Sequence, residues 1–318
     1  MSIWLSPAEI AALPASGPAF LAVKKAADST WPAAKVSDQD SKHDTMTLAG
    51  ALIAVRLGSE PHRLKTANAL RAAIGTEAGG RTLALGRNLT CYVIAADLIG
   101  FREPAFVNWV SSVRTRTLDG LTLVSTHEKR ATNWGTMCGA ARIAADLYLG
   151  DAADLARAVQ VFKGWLGDRS SYAGFAFPSA AKSWSSVPAA LVPVNPKGAI
   201  VGGHSVDGAL IAEICRGGAF KWPPGATSYP WGGLAGAIVQ AALLAKQGYP
   251  VCEWSDRALV RAYQFLRDLQ AQVGGGWWIV SDAKWQPWLV NKLCGSSFPT
   301  VTPTSPGKNM GWTDWTHA

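Results

Sequence analysis

Apolar residues recur every three to four positions along most of the chain, the spacing that gathers them on one face of an α-helix. The pattern predicts helices at about 15–28, 40–58, 61–75, 82–100, 103–117, 133–149, 152–167, 204–216, 232–247 and 255–272. Alanine and leucine dominate these stretches, as helix propensity favours. Ahead of them, Ser6-Pro7-Ala8-Glu9 reads as a capping box with proline in the first turn. Breakers separate the segments: Gly58-Ser59-Glu60-Pro61, Gly79-Gly80, Gly100 to Pro104, Gly150-Asp151 and Gly248-Tyr249-Pro250. Strand-like alternation is scarce, and Gly276-Trp277-Trp278-Ile279-Val280 is the exception. The stretch 168–203 is aromatic and rich in serine, proline and glycine, a long loop of the kind that carries function.

Two pentapeptides recur. Gly50-Ala51-Leu52-Ile53-Ala54 reappears as Gly208-Ala209-Leu210-Ile211-Ala212, and Ile94-Ala95-Ala96-Asp97-Leu98 as Ile143-Ala144-Ala145-Asp146-Leu147. Each copy is followed by a glycine suited to end a helix. Repeated helical hairpins stack into a solenoid or close into a ring. The expected fold is therefore all-α, an (α/α) toroid or incomplete barrel of helical hairpins. One domain spans 1–318, with 1–40 as a helical lead-in and 275–318 as an irregular aromatic tail packed on the toroid.

Composition narrows the function classes. Hydrophobic residues make up 48% and charged residues 16%, which excludes a disordered chain. No apolar run has the length of a membrane helix, so membrane insertion is not expected. The opening MSIWLSPAEIAAL lacks a basic segment followed by an apolar one, so no secretory signal is expected there. The net charge of +8 favours a polyanionic partner. The basic residues are dispersed and form no stripe, which argues against nucleic acid and leaves an acidic polysaccharide. Five cysteines without a CxxC pair predict neither a disulfide framework nor a zinc cluster. Cys91, Cys138 and Cys215 lie in apolar helical stretches as small core residues. Histidines show no HxxxH or HExxH spacing, so no metal and no cofactor are expected. The 15 tryptophans cluster late, at Trp277, Trp278, Trp285, Trp288, Trp312 and Trp315. Flat indole faces among glycines and prolines suit stacking on sugar rings.

Chemistry-bearing residues gather where loops enter helices. His127-Glu128-Lys129-Arg130 and Thr132-Asn133-Trp134-Gly135 precede a long apolar helix, whose free N–H groups favour an anion. Gly202-Gly203 opens the segment carrying His204 and Asp207, three apart and hence on one helical face. Histidine serves as a general base near neutral pH. Arg87-Asn88 offers a guanidinium fork for a carboxylate. Tyr229-Pro230-Trp231 opens a further helix, and a tyrosine held in a cleft can donate a proton. The ordinary alternatives are capping by Thr132 or Asn133, a solvated Arg87 and turn packing by Tyr229.

On these residues the chain resembles the alginate lyase family, the α/α-toroid polysaccharide lyases. The likeness runs from about residue 40 to 270. It rests on Arg87-Asn88-Leu89 ahead of Tyr92, on Thr132-Asn133-Trp134-Gly135, and on His204 ahead of Ala209-Leu210. The family opens the corresponding helix with Asn-Asn-His, of which Asn133 alone is kept; Thr132 and Trp134 replace the others. The resemblance implies β-elimination on a uronate. Asn133 would neutralise the carboxylate, with Arg87 or Arg130. His204 would be the base, and Tyr229 or Tyr172 the acid. His127, Arg130, Trp134 and Tyr172, with Trp231, Trp277 and Trp312, would line the substrate cleft.

A glycoside hydrolase on the same scaffold is the second reading, with Glu128 and Asp207 as the carboxylate pair. A non-catalytic glycan-binding or phage tail component is the third. All three expect a polysaccharide partner and a secreted, periplasmic or virion-associated location.

Overall fold

Local chemistry sets the helix ends. In the computed structural model, which describes residues 2–274 and 281–318, the Ser6 hydroxyl accepts from the Glu9 N–H and the Glu9 carboxylate accepts from the Ser6 N–H. That box opens α1 (Pro7–Ala12), followed by α2 (Pro18–Asp28), α3 (His43–Leu57), α4 (Glu60–Ala73), α5 (Thr82–Leu98), α6 (Pro104–Val113), α7 (Leu123–Lys129), α8 (Asn133–Leu149) and α9 (Ala152–Trp165). A small antiparallel hairpin, β1 (Ile200–Val201) and β2 (His204–Ser205), precedes α10 (Ile211–Ile214). Then come α11 (Tyr229–Lys246), α12 (Trp254–Val273), α13 (Gln286–Cys294) and α14 (Thr313–Thr316). Gly58 and Gly150 end α3 and α8 in the left-handed conformation, as C-terminal glycines do. Trp277, Trp278 and the strand expected around them lie outside the described residues.

The described residues are mostly helical. Helices α3, α5, α8 and α11 are buried on nearly every face and pack side by side in that order. Outer helices cover them: α4 lies on α3 and α5, α9 on α8, and α12 on α11. Glycine permits the close inner approach. A Cβ on Gly86 would come within 2.8 Å of the Cys138 backbone nitrogen, and one on Gly236 within 2.3 Å of the Thr136 backbone. Close packing of this kind brings main-chain atoms of α8 against both neighbours, so any added side chain forces a shift.

The second pentapeptide repeat has a structural counterpart. Its copies form the last turns of α5 and α8, which are packed neighbours. The first repeat has none. Gly50 sits within α3, with Trp31 covering the space its Cβ would need. Gly208 is a turn residue at φ +78°, with the Arg261 backbone 2.4 Å from its would-be Cβ.

Three expectations are corrected. The helix expected at 204–216 is replaced by the hairpin, a turn and the short α10. Gly202 and Gly203, at φ 56° and 80°, supply the two positive-φ positions of a tight hairpin turn. Helices α7 and α13 were not anticipated, because segments of 7 and 9 residues are too short to show a helical period. Finally, Cys252 and Cys294 form a disulfide across a separation of 42 residues, joining the loop before α12 to the end of α13. No spacing motif betrays such a pair. Cys91, Cys138 and Cys215 are buried free thiols. Among the described residues no helix is long and apolar enough to cross a membrane.

The last segment packs back on the beginning of the chain. The Trp312 indole donates to the Thr45 carbonyl, and the Trp315 indole to the Pro14 carbonyl.

Candidate active site

The N-terminal ends of α8 and α11 meet the middle of α5 and the start of α13 around a cavity of about 330 Å³. Arg87 comes from α5, Asn133 and Met137 from α8, Tyr229, Trp231 and Gly232 from α11, and Gln286 from α13. Asp40, Asp282 and Lys308 also line it.

Each group is held by identifiable contacts. Arg87 donates to the Gln39 carbonyl at 3.3 Å, and its guanidinium lies 3.8 Å from Asp40. Lys308 bridges Asp40 at 2.6 Å and Asp282 at 3.3 Å, while Lys42 reaches Asp282 at 3.0 Å. The hydrogen bond from Lys308 holds the Asp40 carboxyl below its usual range. Burial pushes Asp282 upward, but Lys42, Ser305 and Lys308 outweigh it and leave Asp282 low as well. Both acids are therefore carboxylates at neutral pH.

Asn133 is the first residue of α8, and the preceding Thr132 makes no side-chain capping bond. The free N–H of Asn133 instead donates to Glu213 of α10. Glu213 is fully buried, and burial pushes its pKa up to about 8 against the opposing pull of the Asn133 N–H and Arg216. Arg216 in turn lies over the Tyr229 ring at 3.9 Å. Two separate contacts thus stand beside the cavity, Glu213 on the Asn133 N–H and Arg216 on the Tyr229 ring. Tyr229 is 41% exposed, so its ring is accessible from solvent.

Buried polar atoms are almost always paired. Four atoms on lining residues are not: Arg87 Nε, Asn133 Oδ1, Trp231 Nε1 and Gln286 Oε1. Two are donors and two are acceptors. Such a wall suits a ligand rich in hydroxyl and carboxylate groups.

Known proteins offer no guide. Protein-family models, curated proteins and solved structures give no match to this chain.

Of the residues singled out in the sequence, the cavity unites Arg87, Asn133, Tyr229 and Trp231. The others lie elsewhere. His204 belongs to β2, and its ring stacks on Trp222 at 4.4 Å and 10°. Asp207 pairs with Arg261 and accepts from the Gly198 N–H at 2.8 Å. Because the helix expected there is absent, His204 and Asp207 share no helical face. Glu128 lies between Arg142 and Arg157, at 3.2 and 3.1 Å. His127 is buried beside Arg142, and burial first and then that cation hold its pKa well below normal. The Tyr172 hydroxyl donates to the Glu128 carbonyl at 2.6 Å. Arg130 is exposed, with its guanidinium 5.8 Å from the Trp134 ring. Trp312 lines a separate groove with Met46, Pro303 and Asp314. Trp277 lies outside the described residues.

Sequence reasoning missed Glu213, Arg216, Gln286, Asp40 and Asp282. No local motif marks them. Thr132 ahead of Asn133 reads as an ordinary cap, so the sequence held no sign that a distant group closes that helix end.

Proposed function

We propose that this protein is a carbohydrate-active enzyme, a polysaccharide lyase that cleaves an acidic, uronate-bearing polysaccharide by β-elimination. One observation carries the reading: Arg87, Asn133 and Tyr229, from three separate helices, line a single cavity.

The reaction takes the proton beside the uronate carboxylate. The electron pair left behind forms a carbon–carbon double bond, the glycosidic carbon–oxygen bond breaks, and the departing oxygen gains a proton. The proton is not acidic while the carboxylate keeps its charge. Donors must therefore meet the carboxylate and the dianionic intermediate that develops from it. Arg87 and the Asn133 amide supply donors of the required kind. Tyr229, with Arg216 over its ring, is assigned both transfers: its phenolic oxygen takes the proton beside the carboxylate and gives one to the departing oxygen. His204 is given no role, because its ring packs on Trp222 and it does not line this cavity.

The toroid belongs to the same proposal. Contacts run from α2 to α3, α5, α8, α11, α13 and α14, and from α14 back to α2. A closed circuit of this order supports a ring of helices around a central cleft. The Cys252–Cys294 bond supports function in an oxidising compartment such as the periplasm or the extracellular space.

A hydrolase has weaker support. Glu128 and Asp207 sit in separate ion pairs. Asp40 and Asp282 share the cavity, but both are held as carboxylates, whereas a hydrolase needs one carboxyl that keeps its proton.

Incubation with acidic and neutral glycans tests the proposal. The expected result is a product absorbing in the near ultraviolet, lost in Asn133→Ala, Arg87→Ala and Tyr229→Phe. New reducing ends without that absorbance would establish a hydrolase, and binding without cleavage a glycan-binding protein.

A further inference from the structure

Glu213 lies behind the cavity wall and does not line the cavity itself. Its Oε1 accepts from the backbone N–H of Asn133, while Oε2 is buried without a partner. Gly233 of α11 leaves room for it: a Cβ there would lie 3.2 Å from the Glu213 Cγ. The side chain is thus wedged between the first turns of the two helices that carry Asn133 and Tyr229. An ordinary N-terminal cap comes from within the same turn. This one crosses 80 positions of sequence and ties the placement of Asn133 to α10.

We propose that Glu213 is a positioning residue: as a neutral acid it fixes Asn133 for catalysis, and its ionisation switches the site off. This rests on the lyase reading above. The physical reason is the sign of the charge. A neutral carboxyl accepts the Asn133 N–H through its carbonyl oxygen and adds no charge. An ionised carboxylate puts a buried anion directly behind Asn133, where an anionic substrate would gain still more negative charge in the transition state. The charged groups facing Glu213 are few. Arg216 favours the ionised form, and the Cys215 thiol, itself pushed up to about 11 chiefly by burial, brings no charge near neutrality. Burial sets the balance, and the proton stays on up to about pH 8.

Two measurements on the full chain test this. In turnover of a polyuronate such as alginate, followed by the near-ultraviolet absorbance of the product, wild-type kcat should fall on the alkaline side by about tenfold per pH unit once Glu213 has ionised. Glu213→Gln, which keeps the acceptor and cannot ionise, should match wild type at neutral pH and lose that limb. Glu213→Ala should lower kcat by about 10²-fold at every pH with KM little changed, the cost of a misplaced catalytic group. A wild-type alkaline limb unchanged in Glu213→Gln overturns the inference, as does full activity of Glu213→Ala. The second measurement needs no substrate. The Asn133 backbone amide, followed by nuclear magnetic resonance, should titrate near pH 8 in the wild type. A flat amide signal through that range overturns the inference even if the enzyme is a lyase. A titrating amide with no turnover of any glycan faults the lyase reading and not the role of Glu213 in holding Asn133.

Discussion

Two clusters of polar residues flank the junction between α7 and α8, and they have opposite characters. Around Glu128 of α7, Arg142 of α8 is 1% exposed and fully engaged. It holds Asp154 through two donors and reaches Glu128 at 3.2 Å, while Arg157 holds Glu128 from outside. On the α8 side, Asn133 faces a cavity whose lining residues leave four buried polar atoms without partners. His127 and Asn133 are six residues apart in sequence and look alike as candidates. The comparison teaches that saturation separates them. A charged group whose partners are all present is committed to the fold, because removing any member exposes the rest to an uncompensated burial cost. Groups left open at a cavity wall are available to a ligand.

Breaking the closed cluster should have the largest effect. Arg142→Ala leaves Asp154 and Glu128 without their buried cation. It should lower unfolding free energy by about 3–5 kcal/mol in denaturant titrations. A loss under about 1 kcal/mol would mean that the network relaxes to water and is not structural.

Next in size is the open cluster. Asn133→Ala should reduce kcat by about 10²–10³-fold, as loss of an oxyanion donor does, while the protein stays folded at room temperature. The backbone N–H bonded to Glu213 survives that substitution, so the helix start keeps its partner. If Asn133→Ala unfolds the chain, the distinction between the two clusters fails.

A smaller effect separates them by pH. Burial raises Glu128, but Arg157 and Arg142 more than offset it, so its folded pKa lies below the unfolded value. Its contribution to stability is therefore present above the ordinary carboxylate range and lost as pH falls through the lowered folded value. Glu213 has the opposite sign. Its folded pKa of about 8 lies above the unfolded value, so its contribution is full below about 4.5 and lost as pH rises through about 8. Thermal melts across pH should show Glu128→Gln flattening the profile below about pH 4.5 and Glu213→Gln flattening it between about 4.5 and 8. The reverse assignment would refute the account of both.

The smallest expected effect is none. His204→Ala removes a ring stacked on Trp222, away from the cavity, and should leave kcat/KM unchanged. A large loss there would return the base to His204 and require a different site.

Much of the scaffold is legible in the sequence. The stretch 133–149 coincides with α8, and the ends of α3, α4, α5, α9, α11 and α12 fall within a few residues of expectation. Arg87, Asn133, Tyr229 and Trp231 were also legible, as polar or aromatic residues at helix starts and on an apolar helix. The misreading at 204–216 has a clear cause. An apolar run after two glycines suits a helix by period, yet both glycines take positive φ and turn the chain back as a hairpin.

The sequence by itself determined the helical character, the capping and breaking points, and the late clustering of tryptophan. These depend on residues within a turn or two of one another. Only the tertiary structure decided that Glu213 closes the start of α8, that Arg216 covers Tyr229, that Cys252 meets Cys294, and that His204 stands apart from Asn133. Such contacts depend on how packed helices are rotated and spaced, which is fixed by many weak close approaches such as those at Gly86 and Gly236. No local pattern records that sum.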